Sequence, residues 1–181
     1  MTAGANRRVK SFYRLVPVLI VMTFMSACGY HVAGSAANRL ASDQSLWVSF
    51  IRNETDSLSA QTVLRRALLE ECHALRGLYP ANSAETADLR MSGTLRSYAV
   101  GAVSYSSQDL VKQFRLTLEV DLELFRKGET KPLWKGTLQS FQEYPANNND
   151  LALQRSSEEA ALVAASHILA RKFLMAVEQV Y

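Results

Sequence analysis

Residues 114–125 carry the strictest pattern in the chain: Phe114, Leu116, Leu118, Val120, Leu122 and Leu124 alternate with Arg115, Thr117, Glu119, Asp121 and Glu123. Side chains of an extended strand point to opposite faces with a period of two. Six apolar positions in that period dictate a long strand with one covered face and one wet face. Such half-wet strands belong to antiparallel sheets, because the crossovers of a purely parallel sheet cover both faces. Any fold built on this strand must supply a second layer for its apolar side.

The rest of the chain offers that layer. Residues 88–103 alternate less regularly, with Leu89, Met91 and Leu95 against Arg90, Thr94 and Arg96, and Gly93 and Gly101 predict bends or bulges. Lys127, Gly128 and Glu129 make a tight turn into a shorter strand over residues 133–141. Earlier, residues 46–51 read as a strand, with Leu46, Val48 and Phe50 on one face and Trp47, Ser49 and Ile51 on the other.

Two helices complete the set. Leu64, Ala67, Leu68, Cys72 and Leu75 recur at helical spacing; Ser57 or Ser59 is available as N-cap and Gly77 as the stop. Residues 79–86, with Pro80, read as a loop, and so do residues 144–150. Residues 151–180 hold no Pro or Gly, and Leu162, Ala165, Leu169, Phe173, Ala176 and Val180 form an apolar stripe. The order β-α-β-β-β-α predicts an α+β two-layer sandwich, with two helices packed on one face of a four-stranded, mostly antiparallel sheet.

The N-terminus is built differently. Arg7, Arg8, Lys10 and Arg14 precede an uncharged apolar run, residues 15–24, and Ser26-Ala27-Cys28 closes the segment with small residues. A basic region, a short apolar region and a small-residue cleavage site define a secretory signal. The apolar run is about half of the ~20 residues that a membrane-spanning helix needs. Ser-Ala-Cys falls where a lipobox belongs, although Met25 replaces the usual Leu. The expectation is a lipoprotein signal over residues 1–27, with a diacylglycerol and an N-acyl chain on Cys28. An ordinary signal peptide cut elsewhere and a short signal anchor are the alternatives. Residues 28–45, rich in Ala, Ser, Asn and Gly, then read as a tether, and residues 46–181 as one domain. Gly29 stands where an inner-membrane retention signal has Asp, which points to the outer membrane, on its periplasmic side.

Charge follows from this division. Without the four basic residues of the signal, 16 Lys and Arg face 17 Asp and Glu, a near-neutral balance that makes no electrostatic case for nucleic acid. If the Cys28 sulfur carries lipid, Cys72 has no disulfide partner and reads as a small buried hydrophobe.

No residue constellation reads as an active site. His31, His73 and His167 lack metal-ligand spacing, and neither a phosphate loop nor a nucleophile elbow is present. Residues 104–107 read as a polar hairpin tip. Glu119, Asp121 and Glu123 share one strand face at about 7 Å intervals; a solvated face produces the same pattern as a hydrolase pair. The expectation is a non-enzymatic binding or assembly module without metal or cofactor. A second reading is a periplasm-facing lipoprotein that binds a small molecule or cell-wall fragment through Trp47, Tyr98 and Trp134. A third is a hydrolase using Glu119 or Glu123.

Cys28-Gly29-Tyr30-His31-Val32-Ala33-Gly34 resembles the mature start of the LPS-assembly lipoproteins of the LptE family. Residues 48–55, running from an alternating segment into an Asn-containing turn, and the order of the later strands and final helix are similar to that family too. The resemblance implies a lipid-anchored outer-membrane protein that plugs and supports assembly of the β-barrel LptD, and assists lipopolysaccharide insertion into the outer leaflet. It also implies basic lipopolysaccharide contacts near the second hairpin and the start of the last helix. Here Lys112 and Arg155 stand at those places, while the tip itself, Ser106-Ser107-Gln108, is not basic.

Overall fold

The computed structural model describes residues 40–179. The segment before residue 40, with Cys28 and His31, and Val180 lie outside the described residues. Strand β1 (Ser45–Val48) and the two-residue β2 (Arg52–Asn53) precede helix α1 (Ala60–Arg76). Then come the short β3 (Tyr79–Pro80), the long β4 (Leu89–Tyr105), β5 (Val111–Arg126) and β6 (Trp134–Pro145), and helix α2 (Leu151–Gln179).

The strand read from the alternation is β5, and it lies between β4 and β6, antiparallel to both. Leu116, Leu118, Val120, Leu122 and Leu124 are all fully buried, while Arg115 through Glu123 on the other parity face outward. Two helices cover the apolar face, and Leu64, Leu68, Leu162, Leu169 and Phe173 complete one core with Leu89, Met91 and Leu95. The two-layer α+β sandwich is thus as the pattern dictates.

The sheet differs from the expected four antiparallel strands. Its order is β3-β1-β4-β5-β6, with β2 also beside β4, and β1, β2 and β3 all pair parallel. The cause is the intervening helix. α1, about 25 Å long at 1.5 Å per residue, carries the chain back to the end where β1 started. The next strand beside β1 must therefore run parallel to it. Residues 79–80, read as loop, add a strand because Tyr79 N–H bonds Gln44 O at 3.0 Å and Ala81 N–H bonds Leu46 O at 2.9 Å.

The first strand also breaks earlier than its alternation predicts. It ends at Val48, and Ile51 is 1 % exposed while Phe50 is 74 % exposed, the reverse of the expected faces. Pairing resumes only at Arg52, and an irregular step between two strand segments exchanges the faces of everything after it. Leu75 is likewise exposed, and Glu71 takes a buried place on α1. Leu40, within the segment read as tether, is packed in the core.

Local chemistry ends the helices where it should. Gly77, at φ 66°, donates its N–H to His73 O at 2.8 Å, a left-handed stop that suits glycine. Ser59 occupies the α1 cap without a side-chain bond. Asn53 organises the approach instead: its amide donates to Ser57 O, and its Oδ1 accepts from Thr55 N–H and Oγ1. Asp150 Oδ1 caps α2 by accepting from the N–H groups of Ala152 and Leu153.

α2 is long and apolar enough to cross a membrane by length and composition, but half of that apolar window is buried within the protein. Its Ser166, with no side-chain partner, and Ala165, whose carbonyl accepts from Ser140 Oγ at 2.8 Å, sit at zero exposure against the sheet.

The helices are joined through Glu71. Its Oε1 accepts from Arg171 Nε at 3.0 Å and lies 2.9 Å from His167 Nδ1. Burial alone would raise the Glu71 pKa, but the Arg171 and His167 bonds outweigh it and hold the carboxyl below its usual range. A depressed carboxylate pKa stabilises the fold above the unfolded-state value and loses that contribution as pH falls through the folded one. Glu71→Ala should cost about 2 kcal/mol near neutrality, in line with hydrogen bonds to charged groups. Urea titrations should find the difference from wild type shrinking below about pH 4.

Glycines give a sharper test of the sheet. A Cβ on Gly93 would meet Leu122 Cδ2 at 2.5 Å and Asp121 O at 2.9 Å, whereas one on Gly101 meets nothing within 4 Å. The register shifts of β4 lie at Leu95/Ser97 and beyond Ala102, so neither glycine is itself the bulge. Gly93→Ala should destabilise by about 1–3 kcal/mol through overpacking, and Gly101→Ala should be neutral or slightly stabilising, both read by denaturant unfolding.

Candidate functional site: a polar sheet face and the hairpin end

Two surfaces stand out, and both follow from β5. The first is the wet face of the sheet. Register places Arg115 beside Glu143, Asp121 beside Thr94 and Thr137, and Glu123 beside Lys135. Arg115 meets Glu143 at 2.5 Å, Lys135 meets Glu123 at 2.6 Å, and Arg96 bridges Asp121 at 2.7 Å and Glu54 at 2.6 Å. Thr137 Oγ1 donates to the other Asp121 oxygen at 2.7 Å. The Thr137 and Arg96 bonds hold the Asp121 carboxyl below the usual range. Phe141 is exposed on the same face, with the Arg115 guanidinium 4.8 Å from its ring centre.

This is a face whose charges are largely neutralised in cross-strand pairs. Two of the three carboxylates that could have formed a hydrolase pair are committed: Asp121 to Arg96 and Thr137, Glu123 to Lys135. Among the described residues no cluster of three or more His, Cys, Asp or Glu is placed to hold a metal ion. His73 Nδ1 lies 3.0 Å from Leu78 O, and His167 bridges the helices. Cys72 is buried on α1, and desolvation pushes its thiol up to about 12.

The second surface is the end where the β4–β5 hairpin turns and α2 begins. The turn is held by Ser106, whose Oγ accepts from Gln108 and Leu110 N–H, with Asp109 in the left-handed region at φ 58°. Val103, Tyr105 and Leu110 are exposed here, as are Leu151 and Leu153 on the first turn of α2. The β6–α2 loop is fastened to β5: Ala146 N–H bonds Lys112 O, and Asn148 Nδ2 bonds Val111 O, each at 2.9 Å.

Lys112 and Arg155 are therefore both exposed and both at this end. No hydrogen bond or ion pair joins them among the described residues. Arg155 lines an open cleft of about 430 Å³ with Asp56, Ser57, Tyr98, Glu158 and Glu159. Tyr98 donates to Glu158 Oε1 at 2.5 Å, and desolvation together with that carboxylate raises its phenol well above the ordinary value.

The aromatics of the small-molecule reading do not converge. Trp134 is buried edge-on against Phe173, with ring centres 5.2 Å apart. Tyr98 borders the Arg155 cleft, and Trp47 lies in a different surface depression with Ser49, Arg90 and Phe125. What sequence reasoning missed is the pairing across the wet face. Alternating charges on residues 115–123 signalled a solvated face, but which opposite charges meet depends on register.

The geometry defines a small α+β module that presents a charge-paired sheet face and a hairpin end, with its core closed by two helices. The fold is shared by solved bacterial proteins of low sequence similarity. A proposed lipoprotein from Caulobacter crescentus CB15 is 13 % identical, with TM-score 0.53 over 74 % of this chain and 87 % of that one. A protein from Xanthomonas campestris is 14 % identical, with TM-score 0.53 over 80 % and 91 %. A hypothetical protein from Chlamydia trachomatis is 10 % identical, with TM-score 0.52 over 75 % and 95 %. No curated sequence relative matches the chain. The family model for LptE, described as lipopolysaccharide-assembly, matches residues 44–177. The chain belongs to the LptE family, whose role is in lipopolysaccharide assembly.

The charge ladder is exposed, so its worth is small. Asp121→Asn, which breaks the Arg96 bond, should cost less than about 1 kcal/mol. That cost should fade in high salt and also below the usual carboxylate pKa, as thermal melts across salt and pH would read.

Proposed function

We propose that this protein is an outer-membrane lipoprotein, anchored through acyl chains on Cys28, that sits within an LptD-like β-barrel and assists lipopolysaccharide insertion into the outer leaflet. The observation that carries the barrel reading is the charge-paired wet face of β4, β5 and β6. The lumen of a large barrel is polar and hydrated. A partner surface for it must stay hydrated without bringing uncompensated charges into a confined space, since an unpaired charge taken from water is costly. Cross-strand pairing on this sheet meets that condition.

Anchoring adds to the affinity. Each buried methylene contributes about 0.8 kcal/mol, so three chains hold the module at the membrane. Contact with a neighbouring barrel then becomes effectively intramolecular. The family assignment supports the substrate class, lipopolysaccharide, and catalysis has no part in this reading.

Lys112 and Arg155 are the proposed phosphate contacts, since ammonium and guanidinium groups bond phosphate oxygens with charge assistance. Arg155 shares its cleft with Asp56, Glu158 and Glu159, so an incoming phosphate competes there with carboxylates. Lys112 should carry the larger share.

The barrel reading predicts that the lipidated chain, extracted from outer membranes in detergent, retains a large β-barrel through a high-salt wash. Recovery of the functional chain alone, unlipidated and free in the periplasm, would overturn it. Lys112→Ala with Arg155→Ala should weaken lipopolysaccharide binding severalfold while barrel co-purification persists. Unchanged binding in that double variant would remove both residues from the proposal.

A further inference from the structure

Two neighbouring rows of outward side chains cross the wet face. Register sets Ser92, Glu123 and Lys135 in one row and Thr94, Asp121 and Thr137 in the next. Between them lie Gly93, Leu122 and Gly136, whose parity turns them towards the helices. Rows of one parity stand about 7 Å apart along a strand, so the face is grooved here. The resulting trough, which Arg96 also lines, has a volume of about 320 Å³. That is the small end of the range for small-ligand sites, roughly 300–1,000 Å³.

The trough is formally neutral, with Arg96 and Lys135 against Asp121 and Glu123. Arg96 Nε is committed to Asp121 and Lys135 Nζ to Glu123. An ion of either sign would have to break one of these pairs, and an apolar guest would leave them without water. What the pairs leave open is hydrogen-bonding capacity. A carboxylate offers about four lone-pair sites, an ammonium three donors and a guanidinium five. Asp121 has accepted only from Arg96 and Thr137. The hydroxyls of Ser92 and Thr94 make no hydrogen bond among the described residues. Open donors and acceptors are therefore interleaved around a neutral space. A guest carrying many hydroxyls suits it, since each hydroxyl both donates and accepts. Its bonds to the charged groups are roughly twice as strong as neutral ones.

We infer that the trough holds an uncharged sugar ring from the saccharide portion of lipopolysaccharide. The ligand class comes from the proposed function, on which this rests; the binding surface is new to it. The proposed lumen is hydrated, so a barrel around the module leaves the trough wet and open to a solvated sugar chain. A second feature of the same face agrees. Phe141 shares the outward parity of Thr137 on β6, four residues on, or about 14 Å at 3.4 Å per residue. It is 53 % exposed and belongs neither to the core nor to the charge pairs. The C–H face of a pyranose is apolar, so a ring further along the same saccharide stacks on it.

Neutral oligosaccharides supply the probe: lipopolysaccharide from the bacterium's own outer membranes is split by mild acid, and the lipid-free fraction is passed through an anion exchanger. They should bind the lipidated chain in detergent, detected by saturation-transfer NMR. Their affinity, from calorimetry, should change by no more than about twofold between low and high salt, because an uncharged ligand has no attraction to screen. Ser92→Ala and Thr94→Val remove hydroxyls and leave every charge pair in place, and each should weaken binding severalfold with circular dichroism unchanged. Phe141→Ala should weaken long fragments more than short ones, and Gln108→Ala, at the hairpin tip, should change nothing. Neutral saccharide that fails to bind, or that binds the Ser92→Ala, Thr94→Val double variant as tightly as wild type, overturns the inference. So does competition by inorganic phosphate, which would make the trough an anion site. Saccharide binding without barrel co-purification would count against the proposed function alone, and the reverse against this inference alone.

Discussion

The structure depends on the burial of one face of β5 between two antiparallel neighbours. Along most of its length β5 pairs residue for residue with both β4 and β6, so its period of two is imposed on them. Leu122 shows how tight this is: it lies opposite Gly93, where an added Cβ would run into its side chain, and opposite Gly136, where one would run into the Trp134 ring. Packing at interior density makes such positions intolerant of a single methyl group. The helices then have one place to go, over the apolar side.

From that constraint the polar surface follows without further design. Residues excluded from the core by parity are brought into cross-strand proximity at roughly 4.5–5.5 Å between Cβ atoms. Arg96, Arg115 and Lys135 find carboxylates there. Each such pair contributes little to stability, but together they make a face that is wet and largely charge-neutralised. That is the property on which the proposed place in a barrel lumen rests. The family assignment supplies lipopolysaccharide assembly, and the sheet face supplies a physical reason for the proposed barrel partner.

The same hairpin that builds the core also leaves it. β4 continues beyond β2, so part of it has one neighbour and not two. Its residues lose burial there: Leu95 is fully buried, whereas Ala99, Val100 and Gly101 are exposed.

Local pattern was enough to read β5, the two helices, the Gly77 stop and the turn at Gly128, because periodicity, capping and backbone handedness act within a few residues. The same locality explains the LptE resemblance, which rested on a short N-terminal motif and on element order. What the pattern could not decide was anything set by chain reversal or register. That β1 and β4 run parallel follows from the length of α1. That Ile51 turns inward follows from a break after Val48. That Glu71 is buried depends on Arg171 and His167, about a hundred residues away in the chain. Which charges meet on the wet face, and where β4 loses its outer neighbour, are likewise results of tertiary pairing. A residue's own face is written in its spacing, but its partner is chosen only when distant strands and helices come together.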